Sequence, residues 1–195
     1  MNDNSPKGWY SRGYLPHFDG GQLTQFLTYR LADSLPKKVI KNLQFQVEQD
    51  HISDRDMNIT IEKYLDKGIG KCYLGKTEIA EIVEENLLHF AGQKYKLHAW
   101  VIMPNHIHLL LTPFEGYTLS EIVHSCKSYT STKANKLLNR TGRFWFPEPF
   151  DRFIRDYEHF EKAFSYIERN PVKAGLCKNQ SDWRFSSAWH RKNAQ

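Results

Sequence analysis

Cysteine is scarce in this chain of 195 residues: Cys72, Cys126 and Cys177 are odd in number and lie far apart. That argues against a disulfide framework or a paired-cysteine zinc site and leaves reduced thiols as the simpler reading. Long apolar runs are also missing. No stretch approaches the roughly 20 residues of a membrane-spanning helix, and the opening "MNDNSPKGWYSRGYLPHFDGG" has no basic segment leading into an apolar one. The expectation is a cytoplasmic protein with no membrane partner. Internal repeats and low-complexity segments are absent as well, which argues against solenoids and disordered scaffolds.

What is present fits one domain with a core of its own. The net charge of +5 is unevenly distributed. Residues 1–119 hold 13 Lys and Arg against 14 Asp and Glu, a balance of −1, whereas residues 120–195 hold 14 against 8, a balance of +6. The C-terminal part is where a phosphate backbone would be drawn, although a mildly basic solvated surface produces the same count. Aromatic residues make up 14% of the chain, and most such residues serve cores.

Residues 22–31, "QLTQFLTYRL", read as a strand because Leu23, Phe26, Thr28 and Tyr29 suit a pleated, partly buried surface. Pro36 is preorganised for a first helical turn and opens a helix in "KKVIKNLQFQVEQ", and a further helical stretch in "MNITIEKYLDKG" runs to a Gly-rich break. In "KTEIAEIVEENLLHFAG", Thr77 is placed to cap a helix whose buried stripe is Ile79, Ile82, Val83, Leu87 and Phe90. "KYKLHAWVIM" and "HIHLLLTP", separated by "PN", make a hairpin. A helix in "YTLSEIVHSCKSYTSTKANKLL", a strand in "FDRFIR" and a helix in "YEHFEKAFSYIERNP" complete the order. The last helix is expected to stop near Asn170, because Pro171 disfavours helical geometry in the residue before it. The order β, α, α, β, β, α, β, α predicts an α+β, ferredoxin-like sandwich, an antiparallel sheet with helices packed on one face. The divisions expected are an irregular N-terminal arm over 1–20, one domain over 21–176 and a basic C-terminal tail over 177–195.

Within "PNHIHLLLTP", side chains alternate, so His106 and His108 share one face of the strand. Burying two imidazoles side by side calls for hydrogen-bond partners or a metal ion. His98 and His124 are third ligands by type, though each also fits an ordinary surface or strand-end position. In "SYIERNPVKAGL", Tyr166 and Asn170 are four residues apart and so adjacent on one helix face. An amide oxygen can complete the shell of a cation, and a phenol beside that cation can act as a nucleophile. The same two residues also fit an amphipathic core position and a helix end.

"KYKLHAWVIMPNHIHLLLTP" followed by "SYIERNPVKAGLCKNQSDWRFSSAW" resembles the REP-associated tyrosine transposases, a branch of the single-tyrosine HUH transposases. The resemblance implies a HUH nuclease in which His106 and His108 hold a divalent cation, Asn170 supplies a third ligand and Tyr166 attacks DNA. Tyr129 is a competing tyrosine without the Asn-Pro context. Imidazole is a soft ligand for magnesium, so Mn²⁺ fits as well as Mg²⁺. The implied partner is single-stranded hairpin DNA of repetitive extragenic palindromes, nicked and rejoined through a 5′-phosphotyrosine by a monomer or homodimer.

Lys127, Lys133, Arg143, Arg152, Arg155, Arg169, Lys173 and Arg184 are candidates for phosphate contacts, and Trp145, Phe146, Trp183 and Phe185 for stacking on unpaired bases. A catalytically silent hairpin-binding regulator is the alternative reading. A zinc hydrolase built on His106, His108 and His124 is a third, weakened by the lack of an adjacent Glu or Asp base.

Overall fold

Period-two alternation sorts the central strands into two different faces. The computed structural model describes residues 8–11 and 16–194. After a two-stranded hairpin of β1 (Gly8–Ser11) and β2 (Pro16–Asp19), β3 (Gln25–Arg30) enters a four-stranded antiparallel sheet. The sheet is completed by β4 (Tyr95–Ile102), β5 (His106–Pro113) and β6 (Phe150–Phe153), in the order β4-β5-β3-β6. That order, with α3 (Thr77–Phe90) between β3 and β4 and α4 (Leu119–Leu137) between β5 and β6, is the expected ferredoxin-like arrangement. Helices α1 (Lys37–Glu48) and α2 (Asp54–Asp66) are inserted after β3, and α5 (Tyr157–Lys173) and α6 (Ser187–Asn193) close the chain.

On one face, Leu27, Tyr29, Ile107, Leu109 and Leu111 meet Ile79, Val83 and Leu87 of α3 and Ile122, Val123 and Cys126 of α4. On the other, Phe26 and Leu110 meet Ala163 and Ile167 of α5. The helices therefore occupy both faces rather than one. Burying a Leu or Ile stabilises by roughly 1.5–3 kcal/mol, and both faces of this sheet carry such residues, so each needs a cover. The register shift in β4 at His98 puts Tyr95 and Leu97 on the α3 side and Ala99 and Val101 on the α5 side, although all four share parity. A satellite core of Leu35, Leu43, Met57, Ile61 and Leu65 ties α1 to α2.

Several local expectations shift. Pro36 is the N-cap of α1 rather than part of its first turn, and Lys76, not Thr77, is the N-cap of α3, with no side-chain capping bond. The arm over 1–20, expected to be irregular, contains the β1–β2 hairpin; its remaining positions 1–7 and 12–15 lie outside the described residues. Helix α5 runs through Pro171 to Lys173 and ends at Gly175, whose φ of +72° supplies the left-handed turn. Proline removes one ladder bond there, but Ile167, Asn170 and Pro171 are buried, and their packing overrides the local preference.

Residues 177–194 of the expected basic tail pack against the sheet edge. The N–H of Ile102 donates to the Phe185 carbonyl at 2.9 Å, and Trp183 Nε1 donates to the Ile102 carbonyl at 2.9 Å. The segment covers the outer edge of β4, whose unpaired backbone groups would otherwise be a pairing hazard.

Candidate active site

His106 and His108 are fully buried on the sheet face that α5 covers. Register places His108 opposite Thr28 of β3, and the Thr28 hydroxyl lies 2.8 Å from His108 Nδ1. The same hydroxyl makes a long 3.4 Å donation to Glu62 Oε1, which leaves it accepting from His108 Nδ1–H. The His106 tautomer is fixed similarly. Asn105 Nδ2 donates to the Ile69 carbonyl, so its Oδ1 faces His106 Nδ1 at 2.7 Å and accepts that N–H. Both rings then direct an Nε2 lone pair inward, and the two nitrogens stand 3.1 Å apart. Burial pushes both imidazoles down to about 3, with the other histidine and Lys173 adding to the shift of His106 and Lys173 to that of His108. They are neutral at physiological pH, the form that ligates metals.

Tyr166 reaches the same place from α5. Its ring lies 5.4 Å from that of His108 and 5.9 Å from that of Phe26, both edge-on. Its hydroxyl donates to Glu62 Oε2 at 2.9 Å, and that oxygen lies 3.3 Å from His108 Nε2. Burial, the Glu62 charge and hydrogen bond, and Asp66 raise the phenol well above its ordinary value, against a smaller opposing effect of the Asn170 amide. Burial also raises Glu62, opposed by His106 and by the Tyr166 hydrogen bond. Asn170 is fully buried, one turn along from Tyr166, and neither atom of its amide has a partner at ordinary hydrogen-bond distance among the described residues.

The donor set suits a divalent cation. Two inward lone pairs 3.1 Å apart repel unless a positive species lies between them. With bonds of about 2.1 Å, neighbouring ligand atoms lie about 3.0 Å apart in an octahedron and about 3.4 Å in a tetrahedron, so the imidazole pair already stands at ligand spacing. The buried Asn170 amide, one turn along α5 from Tyr166, is a further candidate oxygen donor.

Glu62 was not legible in the sequence. In "MNITIEKYLD" it borders the apolar stripe of Met57, Ile61 and Leu65, and nothing local shows that α2 meets α5. The other sequence candidates fall elsewhere. His98 is hydrogen-bonded to Thr112 at 2.8 Å, and His124 and Tyr129 are exposed on α4, across the sheet from the pair. A zinc centre built on His106, His108 and His124 is thereby excluded.

Arg152, Arg155 and Arg169 are exposed, as are Lys133 and Arg143 on the α4 side. Burial, then the neighbouring Arg155 and Arg55, lowers Arg152, which marks a tight basic cluster near β6. Arg169 lines an open groove with Tyr166, Lys162 and Lys173. Other basic side chains are engaged internally. Lys127 donates to the carbonyls of Phe146 and Pro147 and is pushed down to about 8 by burial and by Arg30 and Arg143. Lys173 pairs with Asp66 at 2.7 Å, and Arg184 grips Glu84 at 2.7 and 3.0 Å. The four aromatics expected to stack on bases serve packing instead. Trp145 is buried and bonded to Thr130, Phe146 lies under Arg30, Trp183 holds Ile102, and Phe185 packs on the core.

A ferredoxin-like sheet offering a histidine pair from a central strand, with a tyrosine crossing it from a facing helix, defines the HUH class of fold. Residues 73–170, half of the chain, match the family described as Transposase IS200 like. The chain belongs to that family. It is similar to the REP-associated tyrosine transposase of Escherichia coli (strain K12), 32% identical over 103 residues that cover 52% of this chain and 58% of that relative. It thus matches little more than half of that protein's length. Among solved structures, a REP-associated tyrosine transposase bound to a REP hairpin aligns over 95% of this chain and 85% of its own, with 21% identity and a TM-score of 0.54, a likeness of fold. No helix among the described residues is long and apolar enough to cross a membrane.

Proposed function

We propose that this protein is a metal-dependent endonuclease and strand-transfer enzyme that nicks and rejoins single-stranded hairpin DNA through a 5′-phosphotyrosine on Tyr166. The observation that carries the reading is the meeting of the Tyr166 hydroxyl with the paired, neutral imidazoles of His106 and His108 in one buried corner. His106, His108 and Asn170 would hold the cation, Mg²⁺ or Mn²⁺. When bound, it would supply Lewis-acid stabilisation of charge developing on the phosphate and on the leaving oxygen.

The protein's own part is positional. Phe26 and His108 brace the Tyr166 ring from two sides, and the hydroxyl proton lies on a hydrogen bond to Glu62. Attack by the phenol oxygen forms the phosphotyrosine bond as the bond from phosphorus to the 3′ oxygen breaks, and that oxygen leaves with a proton as a free 3′-OH. The linkage retains the energy of the broken ester, so a second 3′-OH can attack it and restore a phosphodiester without ATP. Arg152, Arg155 and Arg169 are exposed cations around this site and would carry the strand's phosphates, and Lys133 and Arg143 would serve only a duplex that wraps to the far face.

Incubation with a labelled hairpin oligonucleotide and Mn²⁺, followed by denaturing electrophoresis and mass spectrometry, tests the reading. The expected result is a chelator-sensitive adduct at Tyr166, lost in Tyr166→Phe while hairpin binding stays within about twofold, since one hydroxyl is removed. Binding without an adduct would favour the silent regulator. An adduct on Tyr129 would displace Tyr166 as nucleophile.

A further inference from the structure

Glu62 lies outside the residues that match the family, so membership says nothing about it. Helix α2 nevertheless carries its side chain to the histidine pair, and one donor atom from each of Glu62, His106 and His108 lies within 4.8 Å of the others. Glu62 Oε2 stands 3.3 Å from His108 Nε2, a distance at which a neutral ring with its proton on Nδ1 offers no hydrogen bond. A carboxylate oxygen facing an imidazole lone pair is unfavourable by itself. The distance is, however, the spacing of adjacent ligands around one ion with bonds of about 2.1 Å.

Charge balance points the same way. Lys173, a basic side chain that reaches this corner, is engaged by Asp66 at 2.7 Å. Glu62 brings a carboxylate to a largely buried site, where its anionic form is costly without a cation beside it. Its geometry is held on two sides, by the Thr28 hydroxyl on Oε1 and by the Tyr166 hydroxyl on Oε2. Outer hydrogen bonds of this kind orient a ligating carboxylate.

We propose that Glu62 is the anionic ligand of the cation held by His106 and His108, and that its Oε2 ties the Tyr166 hydroxyl directly to the coordination shell. This rests on the metal-site reading above and deepens it. Two nitrogens and a carboxylate favour a borderline ion, so the site prefers Mn²⁺ over Mg²⁺. Glu62 also fixes where the nucleophile stands relative to the ion, so the insertion of α1 and α2 is part of the catalytic unit.

The test is Mn²⁺ binding to the full chain without DNA, read as the loss of the free-ion signal in electron paramagnetic resonance. Wild type, Glu62→Gln, Tyr166→Phe and His106→Ala are compared, with thermal melting in chelator as the check on folding. Glu62→Gln preserves shape and the bond to Tyr166 but removes the charge. It is expected to weaken Mn²⁺ at least about tenfold, because even outer-shell partners are worth 10- to 100-fold. Tyr166→Phe keeps the carboxylate but removes one of the two hydrogen bonds that orient it, and is expected to weaken Mn²⁺ by less than Glu62→Gln does. Where the glutamine variant does not fold, Glu62→Asp keeps the charge and withdraws the oxygens by one methylene, with a similar weakening expected. Unchanged Mn²⁺ affinity in the Glu62 variants, with binding lost in His106→Ala, overturns the proposal and leaves the histidine site standing. Unchanged affinity in His106→Ala as well overturns both.

Discussion

Burial holds His106 and His108 near 3, whereas the unfolded chain titrates them at their ordinary value of about 6.5. Between those values the unfolded state binds more protons than the native one, so native stability must rise with pH across that window and fall on acidification. In chelator, moving from pH 7 to 5 is expected to cost on the order of 1 kcal/mol per pH unit for each histidine below its unfolded value. Glu62, raised by burial, contributes with the opposite sign, so the clean comparison is wild type against His106→Gln. The variant's melting temperature should fall less steeply with acid, and a slope equal to that of wild type would show that His106 is not held neutral by the fold. The pair itself was legible because alternation on a strand is a sequence property. Its tautomers were not, since they depend on Asn105 and Ile69, which meet only in the folded chain.

Elements were legible wherever the signal is local. Helix α4 and the β4–β5 hairpin fall where "YTLSEIVHSCKSYTSTKANKLL" and "PN" placed them. The end of α5 was misread, because the stop is a glycine after the proline rather than the proline itself. This separates two kinds of glycine. At Gly175, φ is +72° and an added Cβ would meet open space, so Gly175→Ala is expected to cost only the left-handed penalty of about 1 kcal/mol. At Gly70, φ is +97° and a Cβ would lie 2.7 Å from the Asp33 carbonyl oxygen, so Gly70→Ala must also move backbone. Asp33 also accepts the Lys71 N–H at 2.9 Å, which binds this turn to the start of the insertion. Chemical denaturation should therefore rank Gly70→Ala well below Gly175→Ala in stability. Equal midpoints would mean that the turn at Gly70 relaxes freely.

At the scale of the molecule, the +6 balance of residues 120–195 overstates the charge available to a partner. Arg184 and His190 are drawn to Glu84, Arg191 to Glu168, Lys173 to Asp66, and Lys127 to two backbone carbonyls. Glu84 and Glu168 are buried, so these contacts fasten the C-terminal segment over α3 and α5, and sequence could not distinguish such fasteners from free cations because their acids lie about a hundred and about twenty residues away. The distinction has a measurable consequence. A phosphate contact releases counterions, so removing one lowers the slope of log affinity against log salt by about 1, whereas removing an internal pair leaves the slope unchanged. Arg152→Ala and Arg155→Ala are expected to weaken hairpin binding and to flatten that slope by about 1 each. Arg184→Ala is expected to keep the slope and instead lower the melting temperature, because Glu84 loses its bidentate partner in a buried position. A flattened slope in Arg184→Ala, with no change in melting, would reverse the assignment and place the C-terminal segment against DNA.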